Sequence, residues 1–175
     1  MENIEDAQEL AAMIKKRSHE VDVDASQKLL PFFHEEMVKS LIFQLAHGIW
    51  HVHSNGFVHR DIKVENCLID KNLNLYLIDF GLAEACAKEY REKIIVGTKL
   101  YMAPEILDQS INDNPYLPPC DIWAMGVTMY LLMSGHFPFF GFELDDQIKY
   151  GYLEFKQPCW KHVSQEAKDL ISMML

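Results

Sequence analysis

Apolar residues recur along this chain in two rhythms, and the change between them marks its organisation. Val38, Leu41, Ile42, Leu45, Ile49 and Val52 fall three or four apart, which is the spacing of one face of an α-helix. The stripe predicts a helix from His34 to Ser54 that stops at Asn55-Gly56, a pair suited to a helix C-terminus. Residues 6–18 predict a shorter helix, with acids early and cations late as the helix dipole favours, followed by a loop over 22–31. Between Gly56 and Gly81 the period shortens. Cys67–Asp70 and Leu75–Ile78 are short apolar runs around Lys71-Asn72-Leu73-Asn74, which predicts a small β-hairpin. Residues 82–102 read as irregular. After Pro118-Pro119, residues 121–134 are apolar on every side, so a helix buried all round is expected there. A short helix is expected over Glu143–Gly151, and Ser164 is placed to cap a last one running to Leu175.

Composition narrows the class. The chain is 49% hydrophobic and 24% charged over 175 residues, enough apolar material for one domain with a real core. Sixteen Lys and Arg against 26 Asp and Glu leave a net charge of −10, which argues against a nucleic-acid partner because such proteins carry a basic footprint. Cys67, Cys86, Cys120 and Cys159 form no C-x-x-C pair, which excludes a zinc ribbon. Scattered cysteines and an acidic N-terminus without an apolar leader predict an intracellular, cytoplasmic setting. The 14-residue run Ile122–Gly135 is too short to span a bilayer, so no membrane partner is expected.

Three polar clusters interrupt the apolar scaffold: His59-Arg60-Asp61-Ile62-Lys63-Val64-Glu65-Asn66, Asp79-Phe80-Gly81, and Gly97-Thr98 with Ala103-Pro104-Glu105. The hairpin would bring Asp61, Lys63, Asn66 and Asp79 toward one end. Asn66 and Asp79 are hard oxygen donors suited to Mg²⁺. Asp61 is a carboxylate able to orient a hydroxyl and accept its proton. Lys63 is able to neutralise charge on a transferring phosphoryl group. Singly, an Asp or Asn in a loop is usually a turn former. His47 and His51 lie four apart but have no third ligand in pattern, so zinc is not expected.

In order and spacing these clusters resemble the protein kinase catalytic domain: His59–Asn66 is similar to its catalytic loop, Asp79-Phe80-Gly81 to its D-F-G, and Ala103-Pro104-Glu105 to its A-P-E. The resemblance implies transfer of the ATP γ-phosphoryl to a protein serine or threonine, with ATP and Mg²⁺ as cofactors. It implies that Asp61 is the base, that Asn66 and Asp79 are metal ligands, and that Lys63 contacts the γ-phosphate. Lys63 with Thr98 resembles the serine/threonine class, and the segments 95–107 and 135–141 resemble the calcium- and calmodulin-dependent branch. Leu68 would sit under the adenine. Met1–Ile4 resembles the hinge, with Glu2 and Ile4 offering backbone groups and Glu9 near the ribose. Glu65 would bind substrate arginine, implying a basic peptide substrate. Asp121 would hold the catalytic-loop backbone.

Departures from the pattern shape the expected fold. No G-x-G occurs anywhere, and Lys15, Lys16, Lys28 and Lys39 sit in no V-A-I-K-like strand. The expectation is therefore a mainly α fold, the C-terminal lobe of a kinase: a helical bundle with a small catalytic β-hairpin, the N-terminal β lobe absent. Residues 1–175 would be one partial domain of hinge and C-terminal lobe, weak or inactive alone and missing a lobe or regulatory segment as partner. The alternative is a pseudokinase-like docking or scaffold module. From Leu82 to Val96 no serine or threonine occurs, so Glu84, Glu89 or Glu92 would supply the negative charge that the resemblance implies for Arg60.

Overall fold

The structure, a computed structural model, describes residues 7–23, 31–86, 95–107 and 117–175. Its elements run β1 (Gln8–Glu9), α1 (Leu10–Val23), α2 (Glu35–Ser54), β2 (Phe57–Val58), β3 (Cys67–Ile69), β4 (Leu75–Leu77), β5 (Glu84–Ala85), α3 (Pro104–Leu107), α4 (Pro119–Ser134), α5 (Leu144–Tyr150) and α6 (Gln165–Met174).

Helix α4 is the centre of the core. Val127, Leu132 and Met133 have no exposure, and α2 and α6 both pack against the helix. A helix covered by neighbours on more than one side has no use for a polar face, which is why its run is apolar all round. The six residues of the predicted stripe are the buried residues of α2. Each such side chain contributes about 1.5–3 kcal/mol on leaving water. Ser164 caps α6 as expected, its hydroxyl accepting from the Ala167 amide at 3.1 Å.

The last carbonyls of α4 have no partners within the helix. Two of them are met by residues 31–33: the Phe32 N–H donates to Met133 O at 2.7 Å and the Phe33 N–H to Leu132 O at 3.1 Å. Gly135 ends the helix at φ 75°, and a Cβ there would lie 2.6 Å from the Phe32 ring. Gly135→Ala is therefore expected to destabilise the fold by about 2–4 kcal/mol, from left-handed backbone strain plus overpacking. Urea unfolding checks this, and a loss below about 1 kcal/mol would show that Phe32 gives way.

Two small sheets complete the architecture. The predicted hairpin is β3–β4, paired Cys67↔Leu77, Leu68↔Tyr76 and Ile69↔Leu75. β1 adds to its other edge, Gln8 opposite Ile69 and Glu9 opposite Leu68, in a three-stranded antiparallel sheet of order β1-β3-β4. β2 pairs with β5, Phe57↔Ala85 and Val58↔Glu84.

These strands correct several expectations. The helix expected over 6–18 begins only at Leu10, because Gln8 and Glu9 pair with β3, and it runs on to Val23 into the expected loop. Its first turn holds no acid and its last turn no base. The segment expected to be irregular contains β5. A helical lobe with one hairpin and no N-terminal β structure is thus not the observed architecture. The edge of β3 that the hairpin leaves open needs backbone partners, and an N-terminal strand supplies them.

Candidate functional site

The segment from His59 to Asn66 links β2 to β3 and is anchored on α4. Asp121, in the first turn of that helix and 1% exposed, accepts from the His59 N–H (Oδ2, 2.9 Å) and the Arg60 N–H (Oδ1, 2.9 Å). His53 Nε2 lies 2.8 Å from the same Oδ2. Charge-assisted bonds of this kind make a buried carboxylate tolerable and fix the loop to the helix. They also hold Arg60 at φ 68°, a conformation that L-residues seldom adopt.

His59 is fully buried between the loop and β4. Its Nε2 lies 3.2 Å from the Ile78 carbonyl, and its Nδ1 lies 3.4 Å from the Asp61 N–H. The network assigns the tautomer: Nε2–H donates to Ile78 and Nδ1 accepts from Asp61. Burial lowers the pKa of this imidazole below its ordinary value, outweighing the nearby Asp121 charge, so it stays neutral. The ring packs against Phe80, centroids 4.8 Å apart.

Asp61, 8% exposed, is the hub of the site. Lys63 Nζ donates to its Oδ2 at 2.7 Å and to the Thr98 hydroxyl at 3.0 Å. The Thr98 hydroxyl in turn donates to Asp61 Oδ1 at 3.2 Å. Asn66 Nδ2 donates to the Asp61 backbone carbonyl at 2.8 Å and to Oδ2 at 3.0 Å. With its amide nitrogen committed to Asp61, Asn66 points its carbonyl oxygen away from that carboxylate. Asp79 follows Ile78, whose N–H donates to the Asn66 backbone carbonyl at 2.9 Å, so the end of β4 is tied to the backbone of Asn66. Asp79 is exposed at φ 62°, its Oδ1 accepting from the Gly81 N–H at 3.2 Å.

A carboxylate and an amide carbonyl are oxygen donors of the kind Mg²⁺ takes, an ion that keeps several waters and is shared with phosphate oxygens. Among the described residues no group of three or more His, Cys, Asp or Glu side chains forms a metal cage.

The other predicted positions are placed less tightly. Leu68 is half-buried in β3, with exposed Glu9 opposite it in β1. Glu2 and Ile4 lie outside the described residues. Glu65 is exposed and borders a cleft of about 460 Å³ whose walls include Ala11, Ile14, Phe137 and Phe140, with Lys15 also present. In the sequence Thr98 is only a class marker. The structure puts the Thr98 hydroxyl on Asp61 and sets His53 and His59 under the loop. Gly97 makes the approach of Thr98 feasible: at φ 101°, any Cβ would lie 2.8 Å from the Arg60 carbonyl oxygen. The Gly97-Thr98 dipeptide was the available signal.

Comparison with known proteins gives this geometry its context. The family model described as protein kinase domain matches residues 5–175. The chain is 38% identical over 146 residues to the meiosis-specific serine/threonine-protein kinase mek1 of Schizosaccharomyces pombe, covering 77% of this chain and 32% of that protein. It is 37% identical over 156 residues to the ovarian-specific serine/threonine-protein kinase Lok of Drosophila melanogaster, covering 86% and 32%. Against serine/threonine-protein kinase 33 of Mus musculus it is 34% identical over 190 residues, covering 100% and 35%. The chain thus spans about a third of the length of these relatives. The match takes in the N-terminal strand as well as the helical part, which overturns the expectation of a C-terminal lobe alone.

Proposed function

The chain belongs to the protein kinase family, and on that premise we propose that its site transfers the γ-phosphoryl group of ATP to a serine or threonine hydroxyl of a protein. The observation that carries this reading is the network on Asp61. A buried carboxylate is held by Lys63 and Asn66 while a hydroxyl, that of Thr98, donates to one of its oxygens. That oxygen is an acceptor already shaped for a hydroxyl. A substrate hydroxyl donating there would be oriented for attack, with its proton directed to Asp61. Lys63, between Asp61 and Thr98, is placed to offset negative charge developing on the transferred group. Asn66 and Asp79 would hold Mg²⁺, which when bound neutralises nucleotide phosphate charge. Leu68 and Glu9, opposed across β3 and β1, would meet the adenine and ribose. Glu65 on the lining of the 460 Å³ cleft supports a basic peptide preference. The likeness of residues 95–107 and 135–141 supports the calcium- and calmodulin-dependent branch.

A second reading, a docking module without transferase activity, is favoured by the lack of any G-x-G and of a strand lysine in a V-A-I-K-like context. Residues 1–175 alone are accordingly expected to turn over slowly. Full-length protein incubated with Mg²⁺, γ-labelled ATP and a library of basic serine and threonine peptides decides between the two. We expect phosphoserine or phosphothreonine from the wild type and none from Asp79→Ala. Peptide binding without transfer, and without a nucleotide-dependent thermal shift, would establish the docking reading instead.

A further inference from the structure

The loop between α4 and α5 turns one aromatic ring inward and the next two outward. Phe139 is buried and stacks on Trp123 of α4, ring centroids 5.9 Å apart. Phe140 is 59% exposed and Phe142 90%. At the far end of α5, Tyr150 is 72% exposed and Tyr152 91%. Buried Ile148 seats the helix between them. The first pair of rings is held outward by the backbone. Gln147 accepts from the Phe140 N–H at 3.3 Å and donates to the Phe142 carbonyl at 3.1 Å. Gly141 and Glu143 take left-handed backbone, φ 91° and 60°, and Glu143 caps the start of α5 in that seldom-used conformation. A helix of seven residues is about 10 Å long, so the two pairs of rings stand at its two ends.

We propose that this aromatic surface around α5 is a docking site for the protein substrate, which lays a basic and apolar segment there, remote from the residues around its acceptor hydroxyl. Exposed aromatic rings are the side chains from which interface anchors are drawn. Two observations argue for this occupant. The first is continuity. Phe140 belongs both to the pinned loop and to the walls of the 460 Å³ cleft, whose lining includes Glu65 from the Asp61 loop. A chain lying in that cleft is led to α5, and a dozen further residues in extended form reach about 40 Å. The second is charge. Residues 140–152 carry Glu143, Asp145 and Asp146 against Lys149 alone. Glu143 and Asp146 are exposed, while Asp145 pairs with Lys99 at 2.8 Å. Aromatic faces and carboxylates together suit arginine and lysine, through cation–π contact and ion pairing. A second copy of this chain, at net charge −10, would bring like charge to the same surface.

The proposal rests on the kinase reading above, and the experiment separates the two. Full-length wild type is compared with the double variant Phe142→Ser/Tyr152→Ser, which changes only exposed positions. Each is assayed for kcat and KM on a short serine peptide, and on the same peptide lengthened at either end by an arginine- and leucine-rich or a glutamate- and leucine-rich segment. The arginine-rich extension is expected to raise wild-type kcat/KM about tenfold, chiefly through a lower KM, as a second linked contact does. In the double variant that ratio should fall to near one. Glu143→Lys/Asp146→Lys should move the preference to the glutamate-rich extension. Wild type indifferent to extension overturns the proposal, as does a double variant that keeps the wild-type ratio or a charge-reversed one that still prefers arginine. So does a wild-type dimer in sedimentation that the double variant dissociates, because a second copy is then the occupant. If no peptide is phosphorylated, the kinase reading alone fails. Fluorescence anisotropy of the labelled arginine- and leucine-rich segment then decides the docking surface: weaker binding to the double variant upholds it, and equal binding overturns it.

Discussion

Replacing Asp61 by asparagine is expected to lower kcat by roughly 10²–10⁴-fold, the contribution of a positioned general base, while KM for ATP stays near wild type. Asparagine preserves shape but offers an N–H₂ where Lys63, Asn66 and Thr98 all present donors. At least one donor then faces another donor, and the acceptor proposed for a substrate proton is lost. Binding of ATP should change little, because the nucleotide is proposed to meet Leu68, Glu9, Asn66 and Asp79. Steady-state kinetics on the full-length protein checks both halves. A kcat within tenfold of wild type would remove Asp61 from the base role, and a large rise in KM would place it in nucleotide binding instead.

Loss of Asp121 is expected to be strongly destabilising. Asp121→Ala removes the acceptor of the His59 and Arg60 N–H groups and the partner of the His53 ring nitrogen, at a carboxylate that is 1% exposed. An unsatisfied buried donor costs about 1–3 kcal/mol, so a total of about 3–5 kcal/mol is expected. For a domain of this size that is a fall in Tm of about 10 °C. Denaturant and thermal unfolding measure it. Lys39→Ala is the control, because Lys39 and Glu36 form an ion pair with side chains 74% and 86% exposed and should move stability by less than about 0.5 kcal/mol. An Asp121→Ala loss no larger than that of the control would mean the loop holds itself without α4.

How far such features could be read in advance depended on their range along the chain. The α2 stripe repeats over 20 residues, so its register and ends are strongly marked, and all six of its predicted residues are buried. The Ser164 cap and the β3–β4 turn are short-range chemistry and were equally legible. Strands of two residues have no period to detect. β1, β2 and β5 therefore escaped, and with β1 went the expectation of a lobe of helices carrying one hairpin. Glu84 was one of three candidate carboxylates for Arg60, and Glu89 and Glu92 lie outside the described residues. Its pairing with Arg60 depends on β2 and β5 meeting, which no local pattern reveals.

By itself the sequence determined the family and the types of functional group. The order and spacing of Asp61, Lys63, Asn66 and Asp79 are a covalent property of the chain, and long amphipathic periods constrain helices locally. Only the tertiary structure decided which group faces which. Asp121 meets a loop 61 and 62 residues away, and Thr98 reaches Asp61 across 37. Contacts so remote in sequence form only once a packed core brings their backbones together.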